Sequence, residues 1–193
     1  MCTHHNQRGI SLIELIMFIV IVSVALAGIL LVMNTVTKSS ADPLIHKQAL
    51  AIAESLLEEI ELMPFTLCDP DDGSAASAVA AADCGTVAPA VGPENLGTEN
   101  DVSRYDSNFP FDNVSDYNGF NMAAGAILDI AGANTGLNGY TLAPIVVAPV
   151  APGVLPGVAA NDALLITVTV TGPDNVPVVV EGIRTRYAPR AVP

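Results

Sequence analysis

The chain has 193 residues and carries seven Lys plus Arg against twenty Asp plus Glu, a formal net charge of −13. This length allows one ordinary domain plus a membrane segment, and the negative balance excludes nucleic acid as the expected partner because phosphate backbones would be repelled. Apolar residues reach 51% but aromatic residues only 5%, so we expect a modest core of small aliphatic side chains.

The first element in chain order is an apolar run from Ile10 to Met33, in which Glu14 is the only charged residue. A helix rises about 1.5 Å per residue, so about 20 residues cross the hydrocarbon core of a bilayer. The run therefore predicts a single transmembrane helix that begins near the amino terminus.

A secretory signal peptide is the alternative interpretation of this run. Ala25-Leu26-Ala27 has the small-x-small form of a signal peptidase site, and cleavage there would leave Gly28 as the first residue. The apolar sequence continues beyond that site to Met33, and a signal peptide has no need of a carboxylate. Both features favour an anchor that stays in the protein.

Glu14 requires an explanation, because a carboxylate inside hydrocarbon costs about 2.5–3.5 kcal/mol. One explanation is that its side chain reaches the interface from near the start of the helix. Another comes from the residues before it. The stretch RGISLIE, from Arg8 to Glu14, resembles the processing site of type IV prepilins, in which a polar leader ends in Gly and Glu is the fifth mature residue.

The resemblance implies cleavage after Gly9 by a prepilin peptidase and methylation of the new amino terminus, Ile10, where many members have Phe or Met. It also implies that Glu14 pairs with the terminal amine of a neighbouring subunit, since a buried charge needs a well-placed partner. The implied partners are the prepilin peptidase, other pilin or pseudopilin subunits through the N-terminal helix, and inner-membrane lipid before assembly.

The same resemblance implies an orientation. The leader, 1–9, faces the cytoplasm, residues 10–33 cross the bacterial inner membrane once, and the head lies in the periplasm and reaches the cell surface in an assembled pilus. Cys68 and Cys84 are the only cysteines outside the leader. In an oxidising periplasm we expect them to pair, which stabilises a loop of this size by about 3 kcal/mol. A zinc site is not expected, because only His46 remains among the histidines.

Past the membrane run, residues 34–63 predict an amphipathic stalk helix. A helix kink or short break is expected at Pro43, with Asp42 as an N-cap, and Pro64 ends the helix. The glutamates between positions 54 and 61 are interpreted as its solvated face. The apolar stripe recurs in steps of three and four: Ile45, Ala49, Ile52, Leu56, Ile60 and Met63.

Residues 64–193 predict a β-rich head. The alternating stretch 163–171, a Gly-Pro-Asp-Asn turn and the stretch 176–187 predict an antiparallel hairpin. A further strand is expected over 139–147, at a sheet edge because of Pro144. The Pro- and Ala-rich segment 148–162 is expected to be an extended loop. The fold class is therefore α+β and pilin-like: a long N-terminal helix packed on a small antiparallel sheet.

Downstream stretches narrow the resemblance to the minor pilin-like proteins of mannose-sensitive haemagglutinin (MSHA) pili. The N-terminal motif alone identifies only the wider superfamily of major pilins, minor pilins and secretion pseudopilins. The stretches that are similar are ADPLIHKQALAIAESLLEEIELMPF, CDPDD, FDNVSDYNGF and RTRYAPR.

Catalytic chemistry has little support in this sequence. It lacks a G-x-S-x-G elbow, a Walker-type phosphate loop and an H-E-x-x-H helix, so we expect a non-enzymatic protein without a cofactor. Calcium is a minority hypothesis: Asp69, Asp71, Asp72 and Asp83 lie close in sequence around the cysteines, and hard cations prefer several oxygen ligands.

Two functions from different classes follow. The first is a minor pilin or pseudopilin with a structural role in a filament or its initiating complex. The second is a membrane-anchored or tip-exposed adhesin whose head binds a surface. The acidic composition adds that protein partners should be basic or bridged by cations, with salt-dependent association.

Overall fold

The structure is a computed structural model that describes residues 11–97, 101–187 and 190, without the side chains of 37–42. Helix α1 spans Leu12–Leu62, and the chain divides into two compact units, Met1–Leu44 and Ile45–Pro193. The predicted fold class is confirmed, since a long apolar N-terminal helix precedes a small antiparallel sheet.

In the first unit, α1 has the properties of a membrane span. The segment Leu12–Val36 is 25 residues long with a mean hydropathy of 3.2, and its most apolar window has no buried residue. The hydroxyls of Ser23 and Thr35 donate to the carbonyls of Ile19 and Leu31, at 2.7 and 3.0 Å. These polar groups are therefore satisfied within the helix, as a lipid environment requires.

The short break considered at Pro43 is not found, because Pro43 lies inside α1. Position 42 is accordingly helical, and the expected role of Asp42 as an N-cap is wrong. Proline removes one backbone hydrogen bond from a helix and favours a bend, but it does not by itself end a long helix. A kink at Pro43 stays a prediction.

In the second unit, the remainder of α1 is amphipathic, and its buried side follows the predicted spacing. Ala49, Ala53, Leu56 and Ile60 are buried, while Glu54 and Glu58 on the opposite side are exposed. Ile45, Ile52 and Met63 from the predicted stripe are partly buried and pack against the same core. The helix ends at Leu62, two residues before Pro64.

The sheet has four antiparallel strands: β1 (Thr141–Leu142), β2 (Val146–Pro149), β3 (Ala163–Thr171) and β4 (Pro177–Thr185). The predicted hairpin is β3 and β4, which pair over nine residues. Its turn contains Asn175 at φ 60°, a conformation that asparagine tolerates better than most residues.

The strand expected over 139–147 is two short strands, β1 and β2, which pair with the same edge of β3. Leu142 pairs with Val170, and Val146 pairs with Thr167. The chain therefore advances four positions from Leu142 to Val146, while β3 advances only three between their partners. This mismatch defines a bulge that contains Pro144, a position where a strand tolerates the missing N–H. The segment 148–162, predicted as a loop, contributes its first two residues to β2 and its last three to a 3-10 helix.

The core lies between the head portion of α1 and one face of the sheet. Leu164, Ile166, Val168 and Val170 of β3 alternate inward and are almost fully buried against the helix. The described part of 64–140 contains 3-10 helices, turns and isolated bridges, so the regular strands all lie between 141 and 185. The loops before β1 nevertheless contribute buried side chains to the core: Phe65, Val114, Tyr117, Met122 and Ile127.

Candidate functional site

The expected processing site begins outside the described residues, which do not include Gly9 and Ile10. Glu14 is described and lies in the first turn of α1 with its side chain exposed. Leu12 and Ile13 beside it are also exposed, at 77% and 71%. Within the described part of the chain, no cationic side chain forms an ion pair with Glu14. An apolar helix with one carboxylate is therefore available for contact outside this chain.

The head contains a disulfide between Cys68 and Cys84, with their Cα atoms 5.4 Å apart. Cys68 is completely buried and packs with Ala75 and Ala78 in a small second core. Because 16 positions separate the two cysteines, the bond closes the whole acidic loop after α1. This loop is the part of the head that the sequence predicted to be cross-linked.

The carboxylate of Asp72 accepts several backbone hydrogen bonds in and after that loop. Its Oδ1 accepts a hydrogen bond from the N–H of Ser74, and its Oδ2 accepts from the N–H groups of Gly85, Val91 and Gly92, all between 2.8 and 2.9 Å. Burial alone would raise the pKa of Asp72, but these four donors lower it below its usual value. Asp72 is thus a buried anion that holds the loop in place.

Asp83 has a comparable local role, since its Oδ2 accepts from the N–H groups of Val79 and Ala80 at 2.9 Å. The four candidate calcium ligands from the sequence therefore do not form one site. Asp72 accepts mainly from N–H groups that follow the disulfide loop, and Asp83 accepts from two within it. Neither belongs to a close carboxylate group in the described residues.

The carboxylates that do approach one another come from three separate loops. Asp69, Asp71 and Asp112 form one group, and Asp101, Asp112 and Asp116 form another, with oxygens within 4.8 Å inside each group. Oxygen clusters of this kind can share protons or bind hard cations. Sequence spacing found only the first two members, because the others are brought in by the fold.

Asp116 is the most buried member of this cluster, with 2% of its surface exposed. Its Oδ2 accepts hydrogen bonds from the N–H groups of Asp112 and Asn113, at 3.0 and 2.7 Å. Loss of hydration on burial, together with the negative charge of Asp101, raises the pKa of Asp116 to about 8. Burial likewise raises the pKa of Asp69. The cluster is therefore partly protonated at neutral pH.

A second polar assembly joins α1 to the loop that contains Arg104. Arg104 donates from Nε and Nη2 to both carboxylate oxygens of Glu59, and the Tyr117 hydroxyl donates to Glu59 Oε1 at 2.7 Å. Arg104 also lies over the rings of Tyr105 and Phe120. The interpretation of Glu59 as part of a solvated face is wrong, because its side chain is 9% exposed and Arg104 covers it.

An open groove lies between the head portion of α1 and the segment 122–137, with a volume of about 470 Å³. Glu59 and Arg104 are among its lining residues, and most of the lining is apolar. The main apolar lining residues are Ile52, Leu56, Leu62, Met122, Ile127 and Leu137.

Comparison with known proteins bears on the N-terminal segment alone. Residues 4–30 match the family model for the prokaryotic N-terminal methylation motif. This motif supports a pilin-like protein that is processed by prepilin peptidase and assembles with other pilins, in a structural rather than catalytic class. No curated protein and no solved structure matches the chain.

Proposed function

We propose that this chain is a minor pilin or pseudopilin that is cut after Gly9, methylated at Ile10 and incorporated into a type IV filament or its initiating complex. The observation that carries the proposal is the methylation motif at residues 4–30, together with the exposed apolar helix that follows it. Before assembly the helix anchors the protein in the inner membrane, and the head, 64–193, faces the periplasm.

Glu14 has a specific role in this proposal. The carboxylate has no ion-pair partner among the described residues, and its apolar neighbours on the helix are exposed. In a filament the apolar helices pack together, and the Glu14 carboxylate meets the terminal amine of an adjacent Ile10. Such a pair forms only at one axial offset between two helices, so Glu14 sets the register of the incoming subunit.

The filament system that we propose is the MSHA type. Support comes from the downstream stretches that resemble MSHA minor pilin-like proteins, including CDPDD and FDNVSDYNGF. In the head, these stretches supply the carboxylates of Asp72 and Asp116, which accept hydrogen bonds from backbone N–H groups of its loops.

Replacing Glu14 tests this function. Glu14→Ala should leave membrane insertion intact, while incorporation into sheared filaments falls by more than about 100-fold, because an unpaired buried amine costs about 3–5 kcal/mol. Glu58→Ala, at an exposed position of the same helix, is the matched control and should assemble normally. Equal incorporation of both variants would contradict a register role for Glu14.

A binding module is the second candidate, favoured by the apolar groove beside the Glu59–Arg104 pair. In that case the anchored head binds its target through the groove, and assembly is not required. Glu14→Ala would then spare binding of whole cells to a surface, whereas a substitution at an exposed position of the groove, such as Leu62→Asp, would abolish it.

A further inference from the structure

Strand β4 pairs with β3 alone among the described residues, so its other edge has no strand partner there. It pairs with β3 along one side over nine residues without a bulge. On β3, the carbonyls of Ala163 and Thr169 accept hydrogen bonds from the opposite side, at Val150 and Ala143. Because backbone groups in a strand alternate in direction, the even-numbered residues of β3 serve β4.

The backbone N–H and C=O groups of β4 alternate in direction in the same way as those of β3. Val180 and Gly182 of β4 face β3, so the N–H and C=O groups of Val179, Glu181 and Ile183 point away from the sheet. Among the described residues, no backbone or side-chain group forms a hydrogen bond with these six outward groups. Beyond Tyr187 the structure describes Arg190, whose Nε donates to the carbonyl of Ala78.

Proteins usually protect such edges with lysine, proline, a bulge or a covering loop. In β4 the only proline is Pro177 at its first position, and the register is unbroken. Val179 and Ile183 are exposed at 54% and 42%, and Glu181 lies between them on the same face. The edge therefore presents backbone donors and acceptors with an apolar, acidic, apolar side-chain pattern.

Charge selects among the polypeptides that could pair here. Glu61 of α1 contacts Gly182 from the helix side, so carboxylates flank the middle of the edge on both faces. A second copy that pairs antiparallel about the centre of β4 would place Glu181 opposite Glu181, which is unfavourable. A strand with Lys or Arg at that position would form an attractive pair instead.

We propose that the free edge of β4 binds an extended segment of a different protein, in which a basic residue alternates with apolar ones. The segment adds a further strand to the sheet, its backbone completes the ladder, and a basic side chain lies against Glu181 on the exposed face. This mode of recognition combines main-chain affinity with side-chain selectivity. It does not depend on the membrane segment or on the filament role.

Hydrogen exchange of the full chain in detergent tests the proposal. The probe is a synthetic peptide of alternating valine and lysine, about as long as β4, and the control peptide has glutamate in place of lysine. At a peptide concentration about ten times its Kd, the amides of Val179, Glu181 and Ile183 should exchange about tenfold more slowly with the lysine peptide. The glutamate peptide should leave them unchanged.

Substitutions in β4 distinguish the contribution of backbone hydrogen bonds to peptide binding from that of charge. Glu181→Lys should weaken binding of the lysine peptide and create binding of the glutamate peptide. Val179→Pro removes an outward donor without removing a bond to β3 and should abolish binding, whereas Val179→Thr keeps the N–H and should retain it. If circular dichroism shows that the Val179→Pro variant is poorly folded, the change of peptide preference caused by Glu181→Lys tests the proposal instead.

Three outcomes would overturn the proposal. The first is equal protection of the β4 amides from exchange by both peptides, which would show that charge does not select the bound segment. The second is unchanged binding by a folded Val179→Pro variant. The third is a dimer of the protein alone in sedimentation that disappears with Glu181→Lys or Val179→Pro, which would make a second copy the occupant.

Discussion

Glu59 on α1 and Arg104, forty-five positions later, form a two-pronged ion pair that fastens the loop before β1 to the helix. Both side chains are almost fully buried, and the Tyr117 hydroxyl supplies a further donor to Glu59. Loss of hydration on burial opposes the charge on Arg104, but the contact with Glu59 prevails and raises the pKa of the guanidinium. Arg104 is therefore charged across the physiological pH range.

Arg104→Met should destabilise the full-length protein by about 3–5 kcal/mol, because it leaves the Glu59 carboxylate buried without its counter-charge. The double variant Glu59→Leu with Arg104→Met should recover much of that loss, since neither charge remains. Urea denaturation in detergent, followed by circular dichroism, measures both. Glu58→Gln is the exposed control and should stay within about 0.5 kcal/mol of the parent protein. If Arg104→Met behaves like this control, the pair does not hold the loop.

The raised pKa of Asp116 predicts an unusual pH dependence. Its folded-state pKa of about 8 lies above the ordinary value of 3.8, so the folded protein binds more protons than the unfolded chain between these values. The free energy of unfolding should therefore fall as the pH rises from about 5 to about 8, by an amount on the order of a few kcal/mol.

Asp116→Asn should remove most of this fall, since amides do not titrate and the amide oxygen can still accept from the same N–H groups. Denaturation midpoints of the parent protein and this variant, measured across one pH series, should lie closest together at a pH well below 3.8, where Asp116 is neutral in both the folded and the unfolded parent. They should separate as the pH rises toward about 8, with the variant the more stable, because only the parent must bury a charge there. Parallel curves would show that Asp116 titrates normally.

Asp72 predicts the opposite pH dependence in the same head. Its lowered pKa stabilises the folded state above the ordinary carboxyl pKa, and this contribution is lost as the pH falls toward the folded-state value. Asp72→Asn should therefore destabilise the protein at neutral pH and make less difference at acid pH. Thermal melting at both pH values measures the change, and an equal loss at each would show that the charge of Asp72 does not hold the loop.

Two glycines should differ sharply in their tolerance of a side chain. A Cβ at position 73 would lie 2.6 and 2.7 Å from the backbone oxygens of Ala88 and Val87, whereas at position 182 it would meet only the flexible ends of Glu61 and Leu57. Backbone cannot move aside as cheaply as a side-chain tip.

Gly73→Ala should therefore cost about 1–3 kcal/mol of stability, while Gly182→Ala should cost less than about 1 kcal/mol. The first substitution should also displace the loop around Asp72, because Gly73 donates to the carbonyl of Pro89 at 2.7 Å. Thermal melting of the two variants in parallel checks the difference. A larger loss for Gly182→Ala would mean that the loop does not approach position 73 this closely.

The repetitive parts of this fold could be predicted from the sequence. Ala49, Leu56 and Ile60 recur at helical spacing and are buried, and the alternation around Ile166 and Val168 gives the inward face of β3. These patterns are local, because the period of the backbone alone decides which side chains share a face. The Gly-Pro-Asp-Asn turn is also local and connects the hairpin where expected.

The polar assemblies of the head could not be predicted in the same way. The helical pattern predicted an exposed Glu59 side chain, because nothing near Glu59 in the sequence indicates that Arg104 will cover it. The one available signal was the scarcity of basic residues, which made an arginine in an acidic loop noteworthy. The approach of Asp101, Asp112 and Asp116 depends on how separate loops fold over the end of α1, which no spacing rule contains.

Processing of the amino terminus can be measured as the intact mass and first residue of the protein from membranes of cells with and without prepilin peptidase. A processed pilin-like protein should begin with methylated Ile10, and only when the peptidase is present. A chain that stays uncut in both strains would contradict the proposed function and leave Glu14 as an interfacial carboxylate on a plain anchor. A chain that begins at Gly28 would contradict it in another way, by identifying the apolar run as a secretory signal peptide.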